Sequence, residues 1–350
     1  MKDLYDAIII GAGAAGMTAA IFTCRKKMKT LLISVDIGGQ NLLTEKEENY
    51  PGYMESSGTK LMKIFETQTR KFGAEFVFGK VNKIEKIDNN FSVRLTNKES
   101  YSSRSIVIAS GKVPRSLGIP GEDKFFGRGV ITCSALRPQE FKGKRVAVIG
   151  GGNSAVEAAD AISEFSSKTY LIHRRDAFRA DEMTVEKIRK KMSVEFVLNS
   201  VPLEIKGGDS VESLVVEDVK TGERKEIKTD FILVEIGLMV DVSFANDLVK
   251  TNSQNEILTN DLCETSFAGV FSAGDITNAP YKQTVISAGM GATAGLSVYN
   301  YIMKLDGKAG AKIDWLFSKT LESFGLKISA KNCFGYLSLR DFIKKVGSAL

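Results

Sequence analysis

Short unbroken apolar runs that end in glycine or small polar residues recur along the chain. Ala7 to Ile10 runs into Gly11, Ile106 to Ile108 into Ser110-Gly111, Val146 to Ile149 into Gly150, and Val270 to Ala273 into Gly274-Asp275. Runs of this length, closed by turn residues, read as strands buried on both faces of a parallel sheet. Helical patterns lie between them: Met17 to Lys27, Val185 to Lys191, Gln283 to Met303, and Leu61 to Phe72 with Leu61, Ile64, Phe65 and Phe72 on one face. Alternation is confined to Glu75 to Ser105, with a turn at Asn89-Asn90, and to Val194 to Glu235, with a turn at Thr221-Gly222. These predict small antiparallel sheets. The pattern is that of an α/β protein built from two Rossmann-like, three-layer units.

The first glycine turn, Gly11-Ala12-Gly13-Ala14-Ala15-Gly16, sits between a strand and a helix. There the first glycine permits the tight turn, the second lets backbone approach a pyrophosphate, and the third lets helix pack on strand. Ser34 stands at the end of the next strand, with Asp36 two residues on, so no acid marks the ribose contact with certainty. Gly38-Gly39-Gln40 and Glu48-Asn49-Tyr50-Pro51-Gly52 suggest another close backbone approach, or plain loops. The second glycine turn is Gly150-Gly151-Gly152-Asn153-Ser154-Ala155. The strand after it ends in His173-Arg174-Arg175, with Arg179 just beyond. An acid at that place accepts hydrogen bonds from both ribose hydroxyls, whereas guanidinium forks bind a 2′-phosphate. The cluster predicts NADPH over NADH; its alternative is a solvated basic face. His173 groups with the arginines rather than acting as a catalyst.

Two stretches lack periodicity, Lys112 to Gly121 with its two prolines and Gly237 to Val242, and they read as linkers. The strand ending at Asp275 finishes what Gly11 begins, so the second unit is expected as an insertion in the first. Residues 1–113 and 243–310 would form one dinucleotide-binding domain, residues 116–241 the other, and 311–350 a C-terminal extension.

Composition adds little to this picture. In 350 residues, 43% hydrophobic and 26% charged are values of an ordinary globular protein. No apolar run reaches the roughly 18 residues of a membrane span, and strand pattern begins at Tyr5, leaving no room for a signal peptide. The chain is expected in the cytoplasm, with no membrane attachment. A net charge of +6 suits a solvated basic surface and calls for no nucleic acid. The four cysteines, Cys24, Cys133, Cys263 and Cys333, form no Cys-x-x-Cys pair. With a single histidine, no metal site is expected.

In order and spacing, the two glycine turns, Gly38-Gly39-Gln40, Glu48 to Gly52, Ser110-Gly111, Gly118-Ile119-Pro120-Gly121-Glu122, His173 to Ala180, Gly274-Asp275 and Gln283-Thr284 resemble the thioredoxin reductase family over roughly residues 5–305. The resemblance implies FAD and NADPH as cofactors and a homodimer. It assigns the FAD pyrophosphate to Gly11, Gly13, Ala14 and Ala15, and the flavin side to Gly39, Gln40 and Asn49. Val81, Ser110, Gly111 and Gly274 complete that set, with Asp275 at the ribitol and Gln283 and Thr284 by the isoalloxazine. NADPH would be held by Gly152, Asn153, Ser154, His173, Arg174, Arg175 and Arg179.

The chain departs from the family in two places. Cys133 aligns with the first cysteine of the family's redox pair and Leu136 with the second, and one thiol cannot close a dithiol–disulfide cycle. Cys133 then reads as a relic or a small packed residue. The extension is the other departure. The thioredoxin-reductase-like ferredoxin–NADP reductases share both features, and in them a ring of the extension lies against the flavin. Trp315 is the first candidate for that ring, Phe334 and Tyr336 the next; alternatively the tail packs on its own domain or on a partner subunit. The reaction expected is hydride transfer from NADPH to FAD, then single electrons to ferredoxin or flavodoxin, with no side-chain acid or base assigned to the hydride step. The competing readings are an NAD(P)H oxidase, a disulfide reductase using Cys133, and a redox-sensing protein that binds FAD and NADP without turnover.

Overall fold

The computed structural model describes residues 4–44, 46–54, 57–132 and 137–310. Cys133, Leu136 and the extension with Trp315 lie outside the described residues. Two parallel five-stranded sheets organise the rest. In the first, the order is Val270–Ser272, Ile106–Ile108, Ala7–Ile10, Thr30–Ser34 and Glu75–Phe78. In the second it is Val130–Thr132, Phe231–Val234, Arg145–Ile149, Lys168–Ile172 and Val194–Val197.

All strands of the second sheet fall in sequence between Ile106–Ile108 and Val270–Ser272, which are hydrogen-bonded neighbours in the first. The first sheet is thus made of two chain segments with the second sheet inserted between them. Each parallel sheet with its helices is a Rossmann-like α/β unit. Side chains alternate across a strand, so each central strand feeds two cores. Ile9, Leu32 and Val107 pack with the helices on one face, while Ile8, Ile10, Leu31 and Ile33 pack on the other. That double burial is why these strands are apolar at every position. Two smaller sheets are mainly antiparallel: Val81–Ile87, Asn90–Leu95 and Ser100–Ser103, with Leu4–Tyr5 added in parallel to the last, and Ser200–Gly207 with Val211–Asp218 and Arg224–Lys228. Among the described residues, no helix is long and apolar enough to cross a membrane.

The stretches read as linkers contain structure. Val113–Pro114 pairs antiparallel with Leu238–Met239, and the Arg115 N–H donates to the Gly237 carbonyl at 2.9 Å. The two crossings between the sheets are therefore one short ribbon. Two-residue strands are too short for any periodicity to show.

Helix Thr284–Leu305 lies on helix Ala14–Arg25 with almost no gap. A Cβ on Gly291 would come 2.1 Å from the Ala15 carbonyl oxygen, and one on Gly295 2.8 Å from that of Ala19. Gly289, which also reads as a packing glycine, has nothing within 4 Å and is exposed. Gly291→Ala is therefore expected to lower stability by about 1–3 kcal/mol through overpacking. Gly289→Ala should instead add about 0.5–1 kcal/mol by restricting the unfolded chain. Chemical denaturation of the two variants checks both signs.

Candidate functional site: two dinucleotide cradles

The Ala7–Ile10 strand delivers the chain into a turn that only glycine can make. Gly11 has φ +105° and a Cβ there would sit 2.3 Å from the Ala109 carbonyl oxygen. A Cβ on Gly16 would lie 1.8 Å from the Gly11 oxygen, so this glycine seats the helix on the turn. Gly13 is different, since its nearest neighbour is 4.0 Å away. Its missing side chain leaves room on the wall of a cavity of about 540 Å³. The helix that starts at Ala14 has no side-chain cap, so the first-turn N–H groups have no intrahelical acceptor. Free N–H groups and backbone open to close approach are what a pyrophosphate requires.

Ser34 and Asp36 line the cavity and also brace this turn. The Ser34 hydroxyl accepts from the Ala12 N–H at 3.1 Å, and the Asp36 carboxylate accepts from the Gly39 N–H at 2.9 Å. The Gly38 N–H donates in turn to the Ala12 carbonyl at 2.8 Å. The Gly38-Gly39-Gln40 stretch is thereby clipped to the first glycine turn as a 3₁₀ helix, Gly39–Leu43. The cavity runs from Ser34, Val35 and Val81, past Gly11 to Ala15 and Ser110-Gly111, to Gln40, Gly274 and Asp275.

A second pocket of about 390 Å³ shares Gln40, Asn41, Asp275 and Ser287 with it and continues to Asn49, Lys282, Gln283 and Thr284. Here the early and late segments are sewn together. The Asn49 amide donates to Gln283 Oε1 at 3.0 Å, Thr284 Oγ1 bonds Asn41 Oδ1, and Ser287 donates to Asp275 at 2.9 Å. All the first-unit positions assigned from the sequence, Trp315 excepted, border this continuous space. With a glycine turn and an uncapped helix start on its wall, this space offers what a dinucleotide such as FAD requires.

A charged cluster behind this wall has no signal in the sequence. Glu256, buried, accepts from the Lys112 and Lys282 ammoniums at 3.1 Å each and from the Asn252 amide at 2.9 Å. Burial alone would raise its pKa, but these donors outweigh that and hold it at about 2. Both lysines border the cavity, and the Lys112 carbonyl accepts from Gln40 Nε2 at 3.3 Å.

The second cradle repeats the logic on the Arg145–Ile149 strand. A Cβ on Gly150 would meet the Glu235 carbonyl oxygen at 2.3 Å. Gly152 has nothing within 4 Å and caps helix Asn153–Ile162 without a side-chain bond, leaving the N–H groups around Ser154 open. The Arg179 N–H donates to the Gly151 carbonyl at 2.8 Å, which fastens the arginine loop to the turn. Arg174, Arg175 and Arg179 are exposed, and no carboxylate among the described residues pairs with them. The loop's acid, Asp176, is taken up by Lys220 at 3.1 Å. Asn153 turns its side chain to the Asp181 N–H at 2.9 Å, a structural bond.

His173 does not sit on this basic edge. It is buried under Gly151, where a Cβ would come 2.2 Å from its ring, and it stacks on Phe178 with centroids 5.3 Å apart. Burial, with the charges of Arg175, Arg174 and Arg179, pushes its pKa down against a hydrogen bond to Ala177. It is a neutral packing ring that shapes the turn from below.

Residues 5–292 match the pyridine nucleotide-disulphide oxidoreductase family. The chain is similar to thioredoxin reductase of Bacillus subtilis (strain 168), 39% identical over 87% of this chain and 96% of that protein. It also resembles the crystal structure of Lactococcus lactis thioredoxin reductase in the FR conformation, with TM-score 0.71 and 36% identity over 86% of this chain and 99% of the other. A ferredoxin-flavin thioredoxin reductase from Clostridium acetobutylicum superposes with TM-score 0.50 and 31% identity, over 87% and 100% of the two chains.

The low pKa of Glu256 has a consequence for acid stability. Its folded value of about 2 lies below its ordinary 4.5, so its contribution is complete above pH 4.5 and is lost as pH falls through 2. The shift corresponds to about 3 kcal/mol at neutral pH as an upper bound. Glu256→Gln should therefore unfold at lower denaturant than the parent at pH 7, with the gap closing by pH 2. Parallel denaturation series across pH check this.

Proposed function

The chain belongs to the pyridine nucleotide-disulphide oxidoreductase family, and on that premise we propose that it is an FAD-dependent NADPH oxidoreductase delivering electrons to ferredoxin or flavodoxin. The observation that carries the reading is the presence of two complete dinucleotide cradles, only one of which bears an unneutralised arginine edge. When bound, NADPH and FAD supply the hydride and electron chemistry, and the protein supplies position and electrostatics.

At the first cradle, Gly13, Ala14 and Ala15 would receive the FAD pyrophosphate on open N–H groups. Asp275, held by Ser287, would meet the ribitol, and the Asn49–Gln283 pair with Thr284 would border the isoalloxazine. At the second, Gly152, Asn153 and Ser154 would take the NADPH pyrophosphate. Arg174, Arg175 and Arg179 would clamp the 2′-phosphate, which no carboxylate opposes because Asp176 is held by Lys220. The Val113–Pro114 and Leu238–Met239 ribbon would join the two domains, and the chain would act as a homodimer.

The acceptor rests on the sequence Cys133-Ser134-Ala135-Leu136, which lacks the second thiol of a redox pair. A second reading, disulfide reduction through Cys133, draws on the likeness to thioredoxin reductases and on the retention of that one cysteine. NADPH-driven, ferredoxin-dependent cytochrome c reduction, run beside disulfide reduction, separates the two. Cys133→Ser is expected to leave the ferredoxin activity unchanged, which would rule out an essential thiol; disulfide reduction by the parent that is lost in this variant would establish the other route. Arg174→Ala and Arg175→Ala should each weaken NADPH binding by roughly 10- to 150-fold, the worth of one charge-assisted bond. They should leave NADH binding nearly unchanged, as measured by the concentration dependence of flavin bleaching.

A further inference from the structure

Glu256, Lys112 and Lys282 come from three separate parts of the chain and meet behind the Asn49–Gln283 end of the first cradle. Lys112 lies at the mouth of the connecting ribbon, Glu256 on the loop before an isolated bridge at Ile257, and Lys282 just ahead of the long helix. Two ammoniums share one carboxylate oxygen. The Asn252 amide holds the other oxygen, and the Thr277 carbonyl holds Lys282. The network is mostly buried: the Glu256 side chain is 10% exposed, Lys112 20% and Lys282 24%. One negative charge set against two positive ones leaves a surplus cation at the cavity wall, in a place where water screens it poorly.

We propose that this three-residue network sets the reduction potential of the flavin, Lys112 and Lys282 favouring the electron-rich reduced form and Glu256 limiting how far they do so. The proposal rests on the FAD reading of the cavity given above. Reduction adds electron density to the isoalloxazine, so a nearby cation stabilises the product more than the reactant and an anion does the reverse. Lys46, Glu47, Glu48 and Asp275 also border this end of the space. They are common to every variant below and cancel from the comparison. A merely structural network would behave differently, because removing any member would loosen the same wall and act in one direction.

The test is the midpoint potential of the purified, FAD-loaded full chain, measured by equilibration with reference dyes. Glu256→Gln is expected to raise it and Lys112→Met and Lys282→Met to lower it, with Lys112→Arg close to the parent. The size expected is about a tenfold change in the ratio of reduced to oxidised flavin at fixed potential, about 30 mV for a two-electron couple. Shifts of the same sign in all three charge-removing variants, or no shift in any, would overturn the proposal. Should Glu256→Gln fail to fold, the contrast between Lys112→Met and Lys112→Arg decides it: equal potentials in these two would be just as fatal. A parent protein that neither retains nor takes up FAD would instead refute the assignment of the cavity, and it is read from the absorption spectrum before any variant is made.

Discussion

The contact between Gly291 and the Ala15 carbonyl is the constraint from which the first cradle follows. It places the long C-terminal helix directly on the helix of the first glycine turn, with no side chain between them. Asp275 thereby reaches the cavity lined by residues 11 to 15, and Gln283 and Thr284 the pocket that shares Asp275 with it. A bulkier residue at that crossing would move the late segment outward and pull the Asn49–Gln283 and Asn41–Thr284 bonds apart. Packing two helices at backbone distance is thus a condition for the polar groups to converge.

The two cradles solve one problem with different second halves. Both begin with a buried strand, a glycine turn and an uncapped helix, which presents N–H groups to an anion. In the first, Ser34 and Asp36 are spent on holding loops together. In the second, the strand end is given to guanidiniums, and Asp176 beside them is engaged by Lys220 in the turn of the adjoining antiparallel sheet. On the proposed reading, selectivity between nucleotides would lie in a few side chains at one strand end, while the architecture that would receive the pyrophosphate stays the same.

The strands, helices and glycine turns were legible in the sequence because their causes are local. A strand buried on both faces must be apolar throughout, and a turn without room for a Cβ must hold glycine. The arginine edge was legible because it follows a glycine turn at a strand end. What escaped was decided by distant partners. His173 reads as one more basic residue, yet Gly151 and Phe178 roof it over and keep it neutral. Lys112, Glu256 and Lys282 carry no pattern, since no periodicity relates charges that meet only after the two segments close. Gly289, Gly291 and Gly295 look alike in a helix, and only the neighbouring helix distinguishes the two that are required from the one that is not.

The paired crossings at Val113–Pro114 and Leu238–Met239 bring the chain into the inserted sheet and out of it at one point, about 5 Å apart, the spacing of hydrogen-bonded strands. Topologically the second sheet is a graft on a single stem. The first sheet could close over a cut made there, since the chain ends would already be neighbours. The strand order of each sheet is therefore closed without any strand of the other.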